Sequence, residues 1–250
     1  IGKATLAYRF ARFILANSGN IRAGPSLFSD APPAPTSLHI SPDNPIFHRV
    51  ASSGHSDLLG IERTRDQKTN KLRTVIRVDD VRPVGSFFNL TASEGGWRVV
   101  VIDAADEMNV NAANAVLKVL EEPPDRAVLL LVSHNPGRLL PTIRSRCRVL
   151  RLNPLADSVV EGLIARYHPE LSMDDRSDLV SLSDGSIGHA LALADGAGVE
   201  LYRDMINLFE ALPSLDIEAV HKLGDKVARV GAEQSFQTLG ELLRWWLGRL

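Results

Sequence analysis

The stretch that decides the fold is residues 98–124, RVVVIDAADEMNVNAANAVLKVLEEPP. It opens with a run of β-branched residues, Val99 to Ile102, which predicts a strand. Asn109 is a good N-cap, and the proline pair at 123–124 predicts that the following helix ends near Glu122. A strand followed by a helix is the repeating unit of an α/β domain, so this stretch sets the expected fold class.

The alternation of strand and helix continues on either side of this stretch. Before it, RTVIRV at 73–78 predicts a short strand, and DDVRPVGSFFNL at 79–90 predicts a helix capped by its aspartates. After it, AVLLLVS at 127–133 is wholly apolar, which is typical of a strand buried on both faces of a parallel sheet. RVLRL at 148–152 predicts the last strand. The expected fold is therefore α/β, a parallel sheet with helices on both faces.

Beyond Asn153 the predicted strands stop and helical patterns replace them. We expect three domains: an α/β domain at 1–153, a small helical domain at 154–197, and the start of a second helical domain at 198–250. A segment at 20–46 is rich in Pro, Ser, Asn and Asp and predicts a flexible insert. Because the chain opens within a motif and closes on an apolar helical pattern without a stop signal, we expect a fragment of a longer protein.

Composition narrows the classes of function. With 250 residues, 44% of them hydrophobic, the chain is long enough to bury a large core. A formal net charge of −2 gives no reason to expect a chain-wide surface for nucleic acid, so any such role must be local or shared with partners. The single cysteine, Cys147, excludes an internal disulfide and is typical of a reducing compartment. We expect a cytoplasmic protein that does not cross a membrane.

The N-terminus matches the end of a phosphate-binding loop, GxxxxGK[ST], which leads into a helix. Gly2 and Lys3 occupy the last Gly-Lys of that motif, before an apolar helical pattern. The hydroxyl that binds magnesium should follow the lysine, but Ala4 stands there and Thr5 comes one residue late. One residue turns a side chain by about 100° around a helix, so Thr5 should not substitute for the missing hydroxyl.

At the end of the strand in the opening stretch, one residue of a nucleotide-hydrolysing site is present and the next one is missing. Asp103 stands where nucleotide-hydrolysing enzymes place a magnesium aspartate, but the next residue, where many place a catalytic glutamate, is Ala104. A metal nuclease built on Asp103, Asp106 and Glu107 is a weaker alternative, because neighbouring residues on a strand and turn point in different directions.

Three segments together resemble the AAA+ subunits of DNA clamp loaders, the family of the bacterial gamma/tau motor and the eukaryotic replication factor C. They are residues 99–124, residues 129–147 with the sequence LLLVSHNPGRLLPTIRSRC, and residues 185–191 with the sequence GSIGHAL. The resemblance is clear up to about residue 195, and within the family it is strongest to the delta prime subunits of bacterial DNA polymerase III. It implies an AAA+ RecA-like α/β domain, then a helical lid and the start of a helical collar.

The resemblance also implies that most parts of a hydrolysis site are missing. The catalytic glutamate falls on Ala104, the phosphate-loop hydroxyl on Ala4 and the lid arginine on Gly188, while the sensor falls at about Ser133 or His134. Because such groups are worth orders of magnitude in rate, we expect little or no intrinsic ATPase activity.

A degenerate nucleotide site is therefore expected, with ATP and magnesium bound weakly or only at the interface with a neighbouring subunit. Its residues are Gly2, Lys3, Thr5 and Asp103. No zinc is expected, because the interval at 47–65, where relatives often carry four cysteines, offers only His48 and His55.

The SRC motif at 145–147 matches a functional motif of the family that this sequence retains. Arg146 falls on the family's arginine finger, with Ser145 and Cys147 supporting it. An arginine supplied in trans can accelerate phosphoryl transfer by roughly 10³ to 10⁵. The alternative is that Arg146 is a surface arginine in a salt bridge.

The resemblance implies a non-catalytic subunit of the DNA polymerase III holoenzyme. Such a subunit helps to load the sliding clamp onto primed DNA, and its arginine completes the ATP site of a neighbour. The implied partners are the gamma/tau and delta subunits, the sliding clamp and primer-template DNA. The alternatives are a gamma/tau-type ATP-hydrolysing motor or another AAA+ ATPase; a DNA-binding module acting alone fits the net negative charge poorly.

Overall fold

The structure is a computed structural model that describes residues 2–18, 36–66, 68–93, 96–196, 198–214, 216–229 and 232–249. The chain divides into two compact units, Lys3–Arg151 and the part that begins at Leu152. Residues 19–35, which form most of the predicted insert, lie outside the described residues.

The first unit is built around a parallel sheet. Its described strands are β1 (Leu58–Ile61), β2 (Arg98–Asp103) and β3 (Ala127–Val132), in the order β1-β2-β3. In the register, Ile61 pairs with Ile102 and Asp103 with Val132, so the carboxyl ends of the strands meet at one edge. The helices of this unit are α1 (Lys3–Ala16), α2 (Pro45–Ala51), α3 (Val78–Val81), α4 (Pro83–Asn89), α5 (Val110–Glu121) and α6 (Pro141–Arg144).

Helices cover both faces of the sheet, as the sequence predicts. Successive side chains of a strand point to opposite faces, and those of β2 enter two different cores. Val100 and Ile102 pack with residues of α3, α4 and α5, whereas Val99 and Val101 pack with residues of α1 and α2. All four side chains are fully buried, which explains why this strand is a continuous apolar run. The predicted α/β fold class is confirmed.

Two strand predictions are wrong. In RTVIRV only Ile76 makes a bridge, to Met108, and α3 begins at Val78 because the Asp80 carboxylate accepts a hydrogen bond of 2.8 Å from the Arg77 amide. RVLRL, at 148–152, forms no strand among the described residues, and no ladder pairs it with β1, β2 or β3.

Two further differences concern β1 and β3. The sequence pattern did not predict β1, which has only four residues and is interrupted by Gly60. The predicted full burial of AVLLLVS is also wrong: most of β3 is only half-buried, because it has a partner on one side only within the described sheet.

The second unit consists of helices, as predicted from residue 153 onward. They are α7 (Asp157–Tyr167), α8 (Met173–Ser183), α9 (Ile187–Asp195), α10 (Gly198–Glu210), α11 (Ile217–Ala228) and α12 (Glu233–Leu247). Val160, Leu179, Leu193 and Met205 belong to one buried cluster, which α12 joins through Leu242. The boundaries of a separate lid and collar stay a prediction. Among the described helices, none combines the length and apolarity that a membrane span requires.

Candidate functional site

The predicted phosphate-loop remnant lies at the start of α1. Gly2 has a φ of +59°, the left-handed conformation that favours glycine, and Lys3 is the first residue of the helix. The other end of α1 is anchored to the sheet, because Ala11 and Leu15 are buried against β2 and β3. The helix therefore has a fixed position on the sheet.

Asp103 and Ala104 lie at the carboxyl edge of the sheet, directly after β2. The carboxylate of Asp103 is partly exposed, and its Oδ1 lies 4.0 Å from Nε2 of His134, one of the two predicted sensor positions. Ala104 is buried and has only a methyl side chain, so no group able to activate water occupies this position. The structure thus brings Asp103 and His134 together, but among the described residues no hydrogen bond or ion pair joins Asp103 to Lys3 or Thr5.

Two residues that the sequence analysis missed lie beside Asp103. The hydroxyl of Tyr8 on α1 donates a hydrogen bond of 3.5 Å to Oε1 of Glu62, which follows β1. Burial raises the pKa of the Tyr8 hydroxyl, and the nearby carboxylates of Glu62 and Asp103 raise it further. Tyr8 lies one turn after Thr5 on the same face of α1, and this spacing could have indicated that it is near the site. Nothing local in the sequence indicates its pairing with Glu62.

Asp106 fixes the loop that carries the sensor positions. Its two carboxylate oxygens accept hydrogen bonds from the amides of His134, at 2.9 Å, and Asn135, at 3.1 Å. Burial alone would raise the pKa of Asp106, but these amides outweigh burial and the pKa is lowered. Glu107, by contrast, forms an ion pair of 2.8 Å with Arg63. The acids after β2 thus have separate partners, and no metal-binding group of three acidic, His or Cys side chains exists among the described residues.

The SRC motif follows α6, which is anchored by the fully buried Ile143. The Arg146 guanidinium donates to the carbonyl of Thr142, at 3.0 Å, and Nη2 lies 2.9 Å from Oε1 of Glu121 at the end of α5. Ser145 also donates to the Thr142 carbonyl, at 3.1 Å. These contacts hold the guanidinium of Arg146 in place. Because the side chain is 37% exposed, the guanidinium still reaches solvent.

Cys147 completes the motif and is half-buried. Burial raises the pKa of its thiol, so a nucleophilic thiolate is disfavoured at neutral pH. Cys147 is therefore suited to packing behind the arginine.

The remaining predicted positions have structural partners or open surroundings. His55 is buried and its Nδ1 accepts a hydrogen bond of 3.1 Å from the Asp57 amide, whereas His48 is exposed beside Phe47. The absence of zinc stays a prediction. Gly188 lies in α9 of the second unit, and a Cβ atom built there would meet no atom within 4 Å.

The comparisons with known proteins agree with the sequence resemblance. Residues 42–156 match the family model described as "DNA polymerase III, delta subunit". The chain is 44% identical over 138 residues to the DNA polymerase III subunit delta' of Pseudomonas aeruginosa, covering 55% of this chain and 40% of that protein. It is 40% identical over 126 residues to the subunit delta' of Escherichia coli, covering 50% and 37%.

The chain is similar to the DNA polymerase III delta prime subunits over about half of its length. This confirms the resemblance drawn from the three segments of the sequence. A more distant similarity, 26% identity over 174 residues, exists to the DNA polymerase III subunit tau of Bacillus subtilis, covering 67% of this chain and 31% of that protein. The chain spans about two fifths or less of the length of these curated relatives.

Proposed function

We propose that this protein is a non-catalytic clamp-loader subunit of the DNA polymerase III holoenzyme. In this function it helps to load the sliding clamp onto primed DNA, in the cytoplasm, within an assembly of gamma/tau and delta subunits. Its similarity to the delta prime subunits supports the assignment. Its chemical contribution is Arg146, which it supplies to the ATP site of a neighbouring subunit.

The observation that carries this proposal is the presentation of Arg146. The guanidinium follows a short helix anchored by Ile143, and its contacts with the Thr142 carbonyl and Glu121 reduce the conformations that it samples. A planar guanidinium that is pre-oriented and open to solvent loses less entropy when it binds a phosphoryl group. The ion pair with Glu121 is exposed, so exchanging that carboxylate for a phosphate costs little.

The residues that replace the hydrolytic groups support a role without intrinsic turnover. Ala104 carries no group that could polarise water, and it is buried against the protein core. Ala4 has no hydroxyl for magnesium and Gly188 has no positive charge. The similarity to a tau subunit keeps a gamma/tau-type motor as the second candidate, but these three residues disfavour it.

A basic hairpin provides a candidate contact with the DNA backbone. The hairpin is defined by its described residues, 64–66 and 68–73, in which an antiparallel bridge pairs Arg65 with Leu72 and the Asp66 amide donates to the Lys71 carbonyl at 2.9 Å. Arg65, Lys68 and Lys71 are all exposed on this hairpin. We propose that these cations contact phosphates of primer-template DNA, which is a local interaction compatible with the small net charge of the chain.

Reconstitution tests the assignment as a whole. The full-length protein is mixed with purified gamma/tau and delta subunits, and loading of fluorescent sliding clamp onto primed DNA is followed with ATP. We expect clamp loading to require the protein, and the isolated protein to show no ATP hydrolysis above a preparation with Lys3→Ala. Loading that proceeds equally without the protein, or hydrolysis by the isolated protein that Lys3→Ala abolishes, would contradict the proposal.

A further inference from the structure

A cavity of about 540 Å³ opens between α1 and the end of α2. Its polar lining consists of Thr5, Tyr8, Arg9, Arg12, Ser53 and Glu62. Of the residues predicted for the degenerate nucleotide site, Thr5 lines the cavity, whereas Gly2, Lys3 and Asp103 do not. The cavity thus overlaps that predicted site only at Thr5, and the function proposed above does not use it.

Two positive charges face this cavity without a carboxylate partner. Arg9 and Arg12 lie three residues apart on α1, which places them on one side of the helix. Among the described residues, no carboxylate comes within ion-pair distance of either guanidinium. Like charges at this spacing repel each other, so the arrangement costs stability unless a negative charge lies between them.

Arg12 is the more constrained of the two arginines. Its guanidinium lies over the ring of Phe47, with Cζ 4.0 Å from the ring centroid, so the side chain is held in place. Its Nε atom is buried and has no hydrogen-bond partner within the part of the chain that the structure describes. Burial lowers the pKa of Arg12, and the positive charge of Arg9 lowers it further. An anion in the cavity would accept a hydrogen bond from Arg12 Nε and would reduce the repulsion between Arg9 and Arg12.

The acid in the lining has its own partner. Glu62 accepts the hydrogen bond of the Tyr8 hydroxyl. That hydroxyl lies close to Gly60, and a Cβ atom at position 60 would come within 2.9 Å of the hydroxyl oxygen. Thr5 and Ser53 add hydroxyl groups that can donate to an anion. The polar lining thus carries two guanidinium groups and two further donors against one carboxylate.

We propose that this cavity binds the phosphate group of a small phosphate ester, with Arg9 and Arg12 paired to its oxygens. Guanidinium groups match phosphate geometry through paired N–H donors, which favours phosphate over a single carboxylate. The concave volume falls within the range of small-molecule sites and is unlike the extended surface that a nucleic-acid backbone needs. The site is a free-ligand site and does not depend on the role of Arg146.

Calorimetric titration of the full-length protein with inorganic pyrophosphate tests this site. We expect saturable binding that weakens at least tenfold in Arg9→Gln and in Arg12→Gln. Glu62→Gln should strengthen binding several-fold, because it removes the one negative charge from the lining and keeps an acceptor for Tyr8. Arg166→Gln, which removes an exposed arginine on α7, should leave the affinity unchanged.

Two results would overturn the proposal. The first is pyrophosphate affinity that is the same in Arg9→Gln as in the unaltered protein; Arg9 is exposed, so this variant keeps the fold even if Arg12→Gln does not. The second is a single-stranded DNA oligonucleotide that binds through Arg9 and Arg12 while pyrophosphate does not bind, which would identify the surface as a nucleic-acid contact. Binding that depends on both arginines and that the oligonucleotide does not compete away supports a small phosphate ligand.

Discussion

Arg146 Nη2 lies 2.9 Å from Glu121 Oε1, so the LEEPP sequence at 120–124 and the SRC motif meet in space. Glu121 is the last residue of α5, and Arg146 follows α6. The contact therefore joins two helix ends that are separated by β3 along the chain. It gives the arginine a defined position before any neighbour binds.

Replacing Glu121 with Gln should have little effect on stability. The ion pair is about half exposed, and exposed pairs contribute less than about 1 kcal/mol once solvent screening is included. Urea unfolding should therefore give a free energy within about 1 kcal/mol of that of the unaltered protein, with Glu122→Gln as the matched control. A loss of several kcal/mol would mean that the pair is part of the core and is not a surface contact that holds Arg146.

Asp106 should make a larger contribution, because its carboxylate satisfies two backbone amides near the sensor loop. Asp106→Ala removes the charged acceptor of both amides, and a hydrogen bond to a charged group contributes about 1.5 to 3 kcal/mol. Chemical denaturation at pH 7 measures this loss, with the exposed Asp125→Ala as the control. An effect no larger than that of Asp125→Ala would show that the amides find other partners.

The same carboxylate should make stability depend on acid pH. Its folded pKa is lowered, so the stabilisation is fully present above the ordinary carboxyl pKa of about 4 and is lost as the pH falls through the lowered folded pKa. We expect the unaltered protein to lose stability over this range and Asp106→Asn to lose less of it. Unfolding curves recorded from pH 6 to pH 3 measure the difference; parallel curves would contradict the assignment.

The two glycines of the GSIG segment should respond in opposite ways to alanine. Gly188→Ala should stabilise the second unit by up to about 1 kcal/mol, because the Cβ meets open space within α9. Gly185→Ala should destabilise it by about 1 to 3 kcal/mol, since Gly185 has a φ of +72° and its Cβ would approach the Leu155 carbonyl to 2.7 Å. Thermal unfolding of both variants checks the pair, and shifts of equal sign would contradict it.

The basic hairpin predicts a specific salt effect. Lys68→Ala combined with Lys71→Ala should weaken binding of primer-template DNA by the assembled loader and reduce the slope of log affinity against log salt by about two. Fluorescence anisotropy at several salt concentrations measures both quantities. Lys222→Ala on α11 is the control, and a slope that the hairpin variant leaves unchanged would remove the hairpin from the DNA surface.

Sequence patterns predicted the parts of the fold that depend on local signals. The apolar run of β2, the Asn109 cap and the proline pair after α5 each specify structure within a few residues, and all three were correct. RVLRL has the composition of a strand, but strand formation requires a paired neighbour, which its own residues do not specify. The short β1 was missed for the converse reason, because pairing with β2 organises four residues that carry only a weak pattern.

In the candidate site too, local motifs were predictable from the sequence and contacts between distant residues were not. Gly2, Asp103 and Arg146 were predicted as site residues because they stand in motifs with fixed spacing. The contacts that give them their surroundings join residues far apart in sequence, such as Tyr8 with Glu62 and Asp106 with His134. Neither pairing follows from periodicity, and the arginine-lined cavity depends on the packing of α1 against α2.

ATP hydrolysis by the reconstituted loader tests the central claim most directly. The rate stimulated by clamp and primed DNA is compared for the full-length protein and for Arg146→Ala, after sizing shows that both assemble equally. Arg148→Ala, which removes another exposed arginine two residues away, is the matched control. We expect Arg146→Ala to lower turnover at one neighbouring site by about 10³ or more and Arg148→Ala to leave it unchanged. An unchanged rate in Arg146→Ala would show that the SRC motif is structural in this protein.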